Sequence, residues 1–389
     1  MLKLKKKNFI ILLIVIFFLG IGVAFGTSAA FRAITGSTVV SERQYQSLVN
    51  FAKDFNTLYE VNAHVSNEYL WDYDKDKIDE KLSRKFVDML GDEYSTYMNK
   101  KEYKAWNDEL SGSFFGVGVT FAKEDGKYIV RDTVKDSPAE RAGFIEGDIL
   151  TKVDGKTYKD QEKMANAIRG PKGTQVTLEY IRNGVVRQAT MTREEITVDS
   201  VTSKVMADNI GYIRISDFEK NTAKQFENEL GEIENQGVKG LVIDLRLNGG
   251  GYVTESVKIA DMLLGACTVT TMTDKNGKKK SFDSDASHTD LPYVLLVDGG
   301  TASASEILAG AVQDNKGGKL VGTKTFGKGI VQSTFELSSG ACVKLTTMEY
   351  MTPDGYKVHK KGIKPDYEVK LKANDKTDYQ LNKALELLK

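Results

Sequence analysis

Apolar residues change their spacing several times along this chain, and each change marks a segment. After lysines at positions 3, 5, 6 and 7, residues 9–25 are almost unbrokenly apolar, and small residues extend the run to Ala30. That length is near the lower limit for crossing a bilayer. The basic flank predicts a cytoplasmic N-terminus, with everything after about residue 31 outside. Two readings compete, a retained signal-anchor and a signal peptide cleaved near Ser28-Ala29-Ala30. The run is longer than an ordinary signal core, which favours the anchor. A buried core helix is a third reading, and the lysine cluster argues against it. Residues 41–110 read as helical. Tyr45, Leu48, Val49, Ala52, Phe55, Leu58 and Tyr59 recur largely at three- and four-residue steps, and a second such stretch runs from Ile78 to Met89. Further on, residues 210–215 and 240–245 read as strands, the second fully buried, with a polar-faced helix over 222–236 between them.

The densest pattern lies at residues 293–332. Residues 293–297 are an apolar run that reads as a buried strand. Asp298, Gly299 and Gly300 break it, and the small apolar residues 307–312 are spaced for a helix packed closely on a sheet. Ser303 therefore falls where a strand turns sharply into a helix. That place suits a nucleophile, because the first helical N–H groups point at whatever anion forms beside it. The plainer reading is a helix cap, since Ser303-x-x-Glu306 is a capping box. Lys328, between Gly327 and Gly329, changes the balance. A lysine is a usable base only when burial lowers its pKa, and flanking glycines let the backbone pass close enough to bury it.

Residues 322–328 also match the first seven positions of a phosphate-binding loop. The eighth should be Ser or Thr and is Gly329, and residues 330–337 alternate like a strand where that motif needs a helix. Nucleotide binding is set aside on both counts.

Composition narrows the choice. The 389 residues carry 54 Lys+Arg against 54 Asp+Glu, so nothing suggests a nucleic-acid partner. The length predicts two or three domains. His64, His288 and His359 are scattered, with no metal-ligand spacing, and no cofactor is expected. Cys267 and Cys342 fall in apolar, strand-like surroundings; export would permit a disulfide, but two buried free thiols is the favoured reading.

Thr301-Ala-Ser-Ala-Ser-Glu-Ile307, followed by Thr325-Phe-Gly-Lys-Gly-x-Val-Gln332, resembles the C-terminal processing peptidases, or tail-specific proteases. The resemblance implies that Ser303 is the nucleophile, Lys328 the general base and Gln332 the residue that orients it. Thr301 stands where the family commonly has Ser, at a position that is not the nucleophile. Arg246-Leu-Asn-Gly-Gly-Gly251 after Asp244-Leu245 resembles the family's D-L-R-x-N-x-G-G, which implies an oxyanion hole from the N–H groups of Gly251 and Ala304. Residues 91–97 resemble its L-D-P-Y-S-x-Y turn, with Glu93 replacing proline. Residues 348–355, 362–366 and 378–385 match its closing motifs. Residues 114–187 look like a PDZ domain. There Gly116, Val117, Gly118 and Val119 would cradle a peptide's terminal carboxylate, and the next strand would pair with the peptide; an unrelated small β-barrel is the alternative for this segment. The expected architecture is multidomain α/β: a signal-anchor at 1–30, a helical region at 31–110, a PDZ domain at 111–190 and a catalytic body at 191–389. The helical region serves either a homodimer contact, as in the family, or an intramolecular core.

The expected function is an exported serine endopeptidase, anchored in the cell membrane by one span with its catalytic domain outside, or secreted after signal cleavage. It would act on protein or peptide substrates with accessible C-termini. A non-proteolytic PDZ scaffold would be expected to lack Ser303 or Lys328, and both are present. A Ser-His-Asp protease would carry its PDZ domain after the serine, and here the PDZ segment comes first.

Overall fold

The computed structural model describes residues 41–110, 113–197, 199–371 and 377–389. The apolar N-terminal run, with its anchor or signal reading, lies outside these residues. Among the described residues no helix is long and apolar enough to cross a membrane. The described chain divides into two compact units that part between residues 75 and 76.

In the first unit, helix α1 (Glu42–Asp54) opens on a capping box made by Ser41 and Gln44. The periodic run from Tyr45 to Tyr59 is not one helix. It breaks at Phe55 (φ −120°, ψ 38°), and α2 (Asn56–Glu68) starts there. Neither helix buries a residue, so Tyr45, Leu48, Phe51, Leu58 and Tyr59 stay exposed. Periodicity says that a face can be buried; it does not say against what.

The second unit opens with α3 (Lys75–Asp88), β1 (Thr96–Met98) and α4 (Lys100–Leu110). Strand β1 interrupts a stretch that reads as helical. It exists because it pairs with residues 342–344, and three residues carry no periodicity of their own. An inserted module follows, with β2 (Ser113–Gly116), β3 (Val119–Glu124), β4 (Lys127–Thr133), α5 (Pro138–Arg141), β5 (Ile149–Val153), α6 (Gln161–Ile168), β6 (Gln175–Arg182), β7 (Val185–Thr192) and β8 (Glu194–Thr197). Strands β3 to β7 form an antiparallel sheet in chain order. Alternate residues Val176, Leu178 and Tyr180 of β6 turn inward to a core with Val117, Val130, Phe144, Leu150 and Met164. Entry strand β2 pairs with exit strand β8, so the module joins the body through two adjacent strands.

The body runs through β9 (Val201–Val205), β10 (Gly211–Ile215), α7 (Thr222–Asn235), β11 (Leu241–Asp244), α8 (Val253–Leu263), β12 (Cys267–Asp274), β13 (Lys279–Ser284), β14 (Tyr293–Val297), α9 (Ala304–Asp314), β15 (Lys319–Gly322), β16 (Ile330–Glu336), β17 (Cys342–Met351), β18 (Tyr367–Glu368) and α10 (Tyr379–Leu387). One sheet has the order β18-β15-β14-β11-β10-β9, parallel as far as β10 and antiparallel at β9. Every residue of β11 and β14 is buried, which is why neither alternates. Phe226, Ile259 and Leu308 from α7, α8 and α9 pack with Ile213, Ile243 and Leu295. Ala384 of α10 packs with Val242, Val294 and Leu296, whose side chains alternate to the opposite face.

The second sheet is centred on β17. One edge of β17 is lined by β16; the other is shared by β1, at residues 342–344, and β12, at residues 348–351. Residues 345–347 lie between those two partners. The two cysteines are both free; Cys342 is buried and Cys267 only partly so.

Candidate active site

The loops after β11 and β14 meet at the C-terminal ends of adjacent parallel strands, where open α/β sheets place their ligand crevices. Ser303 sits at the end of the second loop, as the residue before α9, with φ 57° and ψ −115°. This left-handed backbone is uncommon for a residue with a side chain and costs on the order of 1 kcal/mol or more. Hydrogen bonds on both sides hold it. The Ser303 N–H donates to Glu306 Oε2 at 3.0 Å. The Ser303 carbonyl accepts from the buried Tyr350 hydroxyl at 3.0 Å and from the N–H groups of Glu306 and Ile307. The first loop packs beneath. Ala302 N–H and the Ser305 hydroxyl both donate to the Asn248 carbonyl, each at 3.0 Å. A Cβ at Gly250 would lie 2.8 Å from Ser303 Cβ and 3.0 Å from Ala304 N, so only glycine lets this loop reach the serine.

Glu306 does more than cap a helix. Its carboxylate is wholly buried and accepts four hydrogen bonds. Oε2 takes the N–H of Ser303 (3.0 Å) and of Lys328 (2.8 Å); Oε1 takes the N–H of Gly327 (2.8 Å) and the Thr325 hydroxyl. One side chain thus fixes the backbone of Ser303 and of Lys328 together. From the sequence, Glu306 is legible only as the end of a capping box, because its three other donors lie near residue 325.

Lys328 is half-buried, and a Cβ at Gly329 would meet the His359 backbone nitrogen at 2.2 Å. Burial, with the positive charge of Lys344 adding to it, holds the Lys328 amine below the ordinary lysine range; Asp92 and Glu306 act the other way. Its Nζ lies 4.9 Å from the centroid of the Tyr94 ring. Among the described residues no hydrogen bond joins Lys328 Nζ to the Ser303 hydroxyl. Gln332 donates its amide to Thr346 Oγ1 at 3.2 Å, and among the described residues no hydrogen bond joins it to the lysine.

Gly251 has φ 138° and bridges Phe218 in parallel fashion. Phe218 N–H donates to the Gly250 carbonyl, and Tyr252 N–H to the Phe218 carbonyl. This pairing leaves the N–H of Gly251 itself unused. Among the described residues neither that N–H nor the Ala304 N–H has an acceptor; the first lies on the loop beneath Ser303 and the second opens α9 directly after it. Buried Asp244, at the end of β11, anchors the first loop. It accepts from the Tyr212 hydroxyl at 2.7 Å and from Arg246 Nη2 at 2.6 Å, and Arg246 continues to Asp378 and Gln380 before and on α10. Burial and then the Asp244 hydrogen bond raise the Tyr212 phenol to about 12. The side chains of the closing motif at 378–380 therefore brace this loop from the opposite end of the sequence.

Of the residues singled out in the inserted module, Val117 lies in its core and the partly buried Val119 packs against it. Val117 is fully buried; its carbonyl accepts from Ala139 N–H at 2.7 Å, and that of Gly118 from Val134 N–H at 2.8 Å. The outer edge of β3, where a peptide would add as a strand, is partly taken. The Gln161 side chain donates to the Phe121 carbonyl at 3.2 Å and accepts from Lys123 N–H at 3.1 Å.

Known proteins share both parts of this architecture. Residues 209–369 match the family model for peptidase family S41, and residues 116–193 match that for the PDZ domain. The "Probable CtpA-like serine protease" of Staphylococcus haemolyticus is 37% identical over 376 residues, covering 95% of this chain and 73% of that protein. The carboxy-terminal processing protease CtpA of Bacillus subtilis is 34% identical over 369 residues, covering 94% and 79%. Among solved structures, the photosystem II D1 C-terminal processing protease is 29% identical with a TM-score of 0.50, over 80% of this chain and 86% of that one. A PDZ module set into an α/β body, with a serine held at a strand-to-helix turn, places this chain in peptidase family S41, as a serine-type C-terminal processing peptidase.

Proposed function

We propose that the chain cleaves peptide bonds near the C-terminal tails of exported proteins, using Ser303 as nucleophile and Lys328 as general base. The observation that carries this is the shared carboxylate of Glu306, which holds the backbone of both residues through Oε2. In the reaction, neutral Lys328 takes the proton from Ser303 Oγ as that oxygen attacks the scissile carbonyl. The N–H groups of Gly251 and Ala304 receive the developing oxyanion. The leaving amine takes a proton from the lysine, an acyl-enzyme remains, and water attacks it with Lys328 again as base. Gln332 orients the amine once its own amide leaves Thr346. The PDZ module captures the substrate's terminal carboxylate at Gly116–Val119. The peptide strand then adds to β3, displacing the Gln161 amide from Phe121 and Lys123. The N-terminal apolar run holds the enzyme at the outer side of the cell membrane.

The test is a comparison of wild type and Ser303→Ala on protein substrates, reading new C-termini by mass spectrometry. Cleavage products confined to wild type support the reading. Cleavage by Ser303→Ala at the wild-type rate removes Ser303 as the nucleophile, and no cleavage by either protein leaves the alternative of a PDZ scaffold on a peptidase-like body.

A further inference from the structure

Lys328 has one close neighbour that its catalytic role does not explain. The Tyr94 ring covers Nζ at 4.9 Å, within cation–π reach, and among the described residues no hydrogen bond or ion pair reaches that nitrogen. Tyr94 comes from the turn at residues 91–95, more than 200 positions earlier in the chain. The turn is locked without any help from the lysine. Asp92 Oδ1 accepts from Tyr94 N–H at 3.1 Å, and Oδ2 from the Ser95 hydroxyl at 2.5 Å. The Ser95 oxygen in turn accepts Thr346 N–H at 3.0 Å. That N–H lies in the gap on β17 between its partners β1 and β12. The turn therefore fills a vacant stretch of sheet edge beside Thr346, the residue that holds Gln332. The ring is in place before the lysine needs it.

We infer that Tyr94 is a positioning residue for the reaction: its ring holds the Lys328 side chain and shields the amine from water. A ring acts on a lysine in two opposed ways. Its face favours the ammonium by about 0.5–1 kcal/mol at a partly exposed site. Its bulk keeps water out and favours the neutral amine, an effect that reaches several pKa units for fully buried lysines. Burial is the leading influence on Lys328, ahead of Lys344 from β17, with Asp92 from the turn and Glu306 from α9 opposing; His359 faces Asp92 and favours its carboxylate. The shielding role dominates, so removing the ring raises the pH at which the lysine becomes neutral. The hydroxyl is not needed, because it faces Glu93 and not the lysine.

The inference rests on Lys328 being the base, and the experiment separates the two ideas. Full-length wild type, Tyr94→Ala, Tyr94→Phe and Lys328→Ala are compared by the pH dependence of Ser303 labelling with a fluorophosphonate and of peptide turnover. Lys328 Nζ is also titrated by NMR in a Ser303→Ala background, with and without Tyr94→Ala, which requires no turnover. Tyr94→Ala is expected to move both midpoints up by about one unit, with about a tenfold fall in kcat at pH 7 and little change in KM. Tyr94→Phe is expected to keep the wild-type profile. Unchanged midpoints in Tyr94→Ala, a downward shift, faster turnover, or an equal loss in Tyr94→Phe would each overturn the inference. Wild-type labelling in Lys328→Ala would instead overturn the assignment of the base, whatever Tyr94 does to the NMR titration.

Discussion

Replacing Glu306 by glutamine keeps the shape of the side chain and removes half of its ability to accept. The carboxylate receives four donors, two on each oxygen, in a site with no water access. The amide of Glu306→Gln can point its NH₂ either way. Turned toward Ser303 and Lys328, it would face two backbone N–H groups that cannot rotate. Turned toward Thr325 and Gly327, it faces one fixed N–H and one hydroxyl that can swing to accept, so this orientation is favoured. The Gly327 N–H is then buried without a partner, at a cost of about 1–3 kcal/mol. The remaining bonds lose their charge assistance, which roughly halves their strength. Together these give a loss of about 2–4 kcal/mol, read as a lower urea midpoint at unchanged slope. The loop carrying Lys328 is the part released, so kcat is expected to fall by about a hundredfold while KM changes little. Glu306→Ala, which orphans all four donors, should be worse on both counts. Glu306→Gln with a wild-type urea midpoint and wild-type kcat would refute the claim that this carboxylate joins the two halves of the site.

Three other outcomes follow from particular residues. Burial, and then Asp217, raise the Glu219 carboxyl to about 7. The folded chain therefore binds more protons than the unfolded one between about pH 4.5 and 7, and stability falls as pH rises through that window. Glu219→Gln should remove the slope and stabilise the protein at pH 8 by up to about 3 kcal/mol, with no gain at pH 4, as urea titrations at the two pH values would show. Gly250→Ala should be both strained, at φ 106°, and in contact with Ser303 Cβ at 2.8 Å; a loss of about 2 kcal/mol with near-complete loss of Ser303 labelling is expected. A peptide ligand amidated at its C-terminus should bind at least about tenfold more weakly than the free acid to the Ser303→Ala enzyme, measured by fluorescence anisotropy.

The strand–turn–helix around Ser303 was legible because its signals are local: an apolar run, a glycine break and a packed helical face in consecutive residues. The same holds for β16, whose alternation over residues 330–337 argues for the strand found there and against the helix of a nucleotide loop. Other features depend on partners far along the chain. Strand β1 forms through residues 342–344, and Tyr94 gains a role only because Ser95 reaches Thr346. Glu306 reads as a cap until the loop at 325–328 folds onto it. The break at Phe55 is hidden in a pattern whose apolar spacing continues through it. The left-handed backbone of Ser303 has no signature in its own residue type, since the Glu306 carboxylate and the Tyr350 hydroxyl hold it from either side. Gln332 is legible as part of a motif, but its bond to Thr346 comes from the register of β16 on β17.

The central claim is that Lys328, as a neutral amine, activates Ser303. The most direct measurement is the rate at which a fluorophosphonate acylates Ser303 as a function of pH, in wild type, Lys328→Arg and Lys328→Ala. In wild type the rate should rise with pH through a midpoint below the free-lysine value of about 10.4, because burial lowers the amine. In Lys328→Arg acylation should be lost throughout, since a guanidinium does not give up its proton, and in Lys328→Ala it should show no such midpoint. Acylation of Ser303 in Lys328→Arg at the wild-type rate, with the wild-type midpoint, would contradict the account.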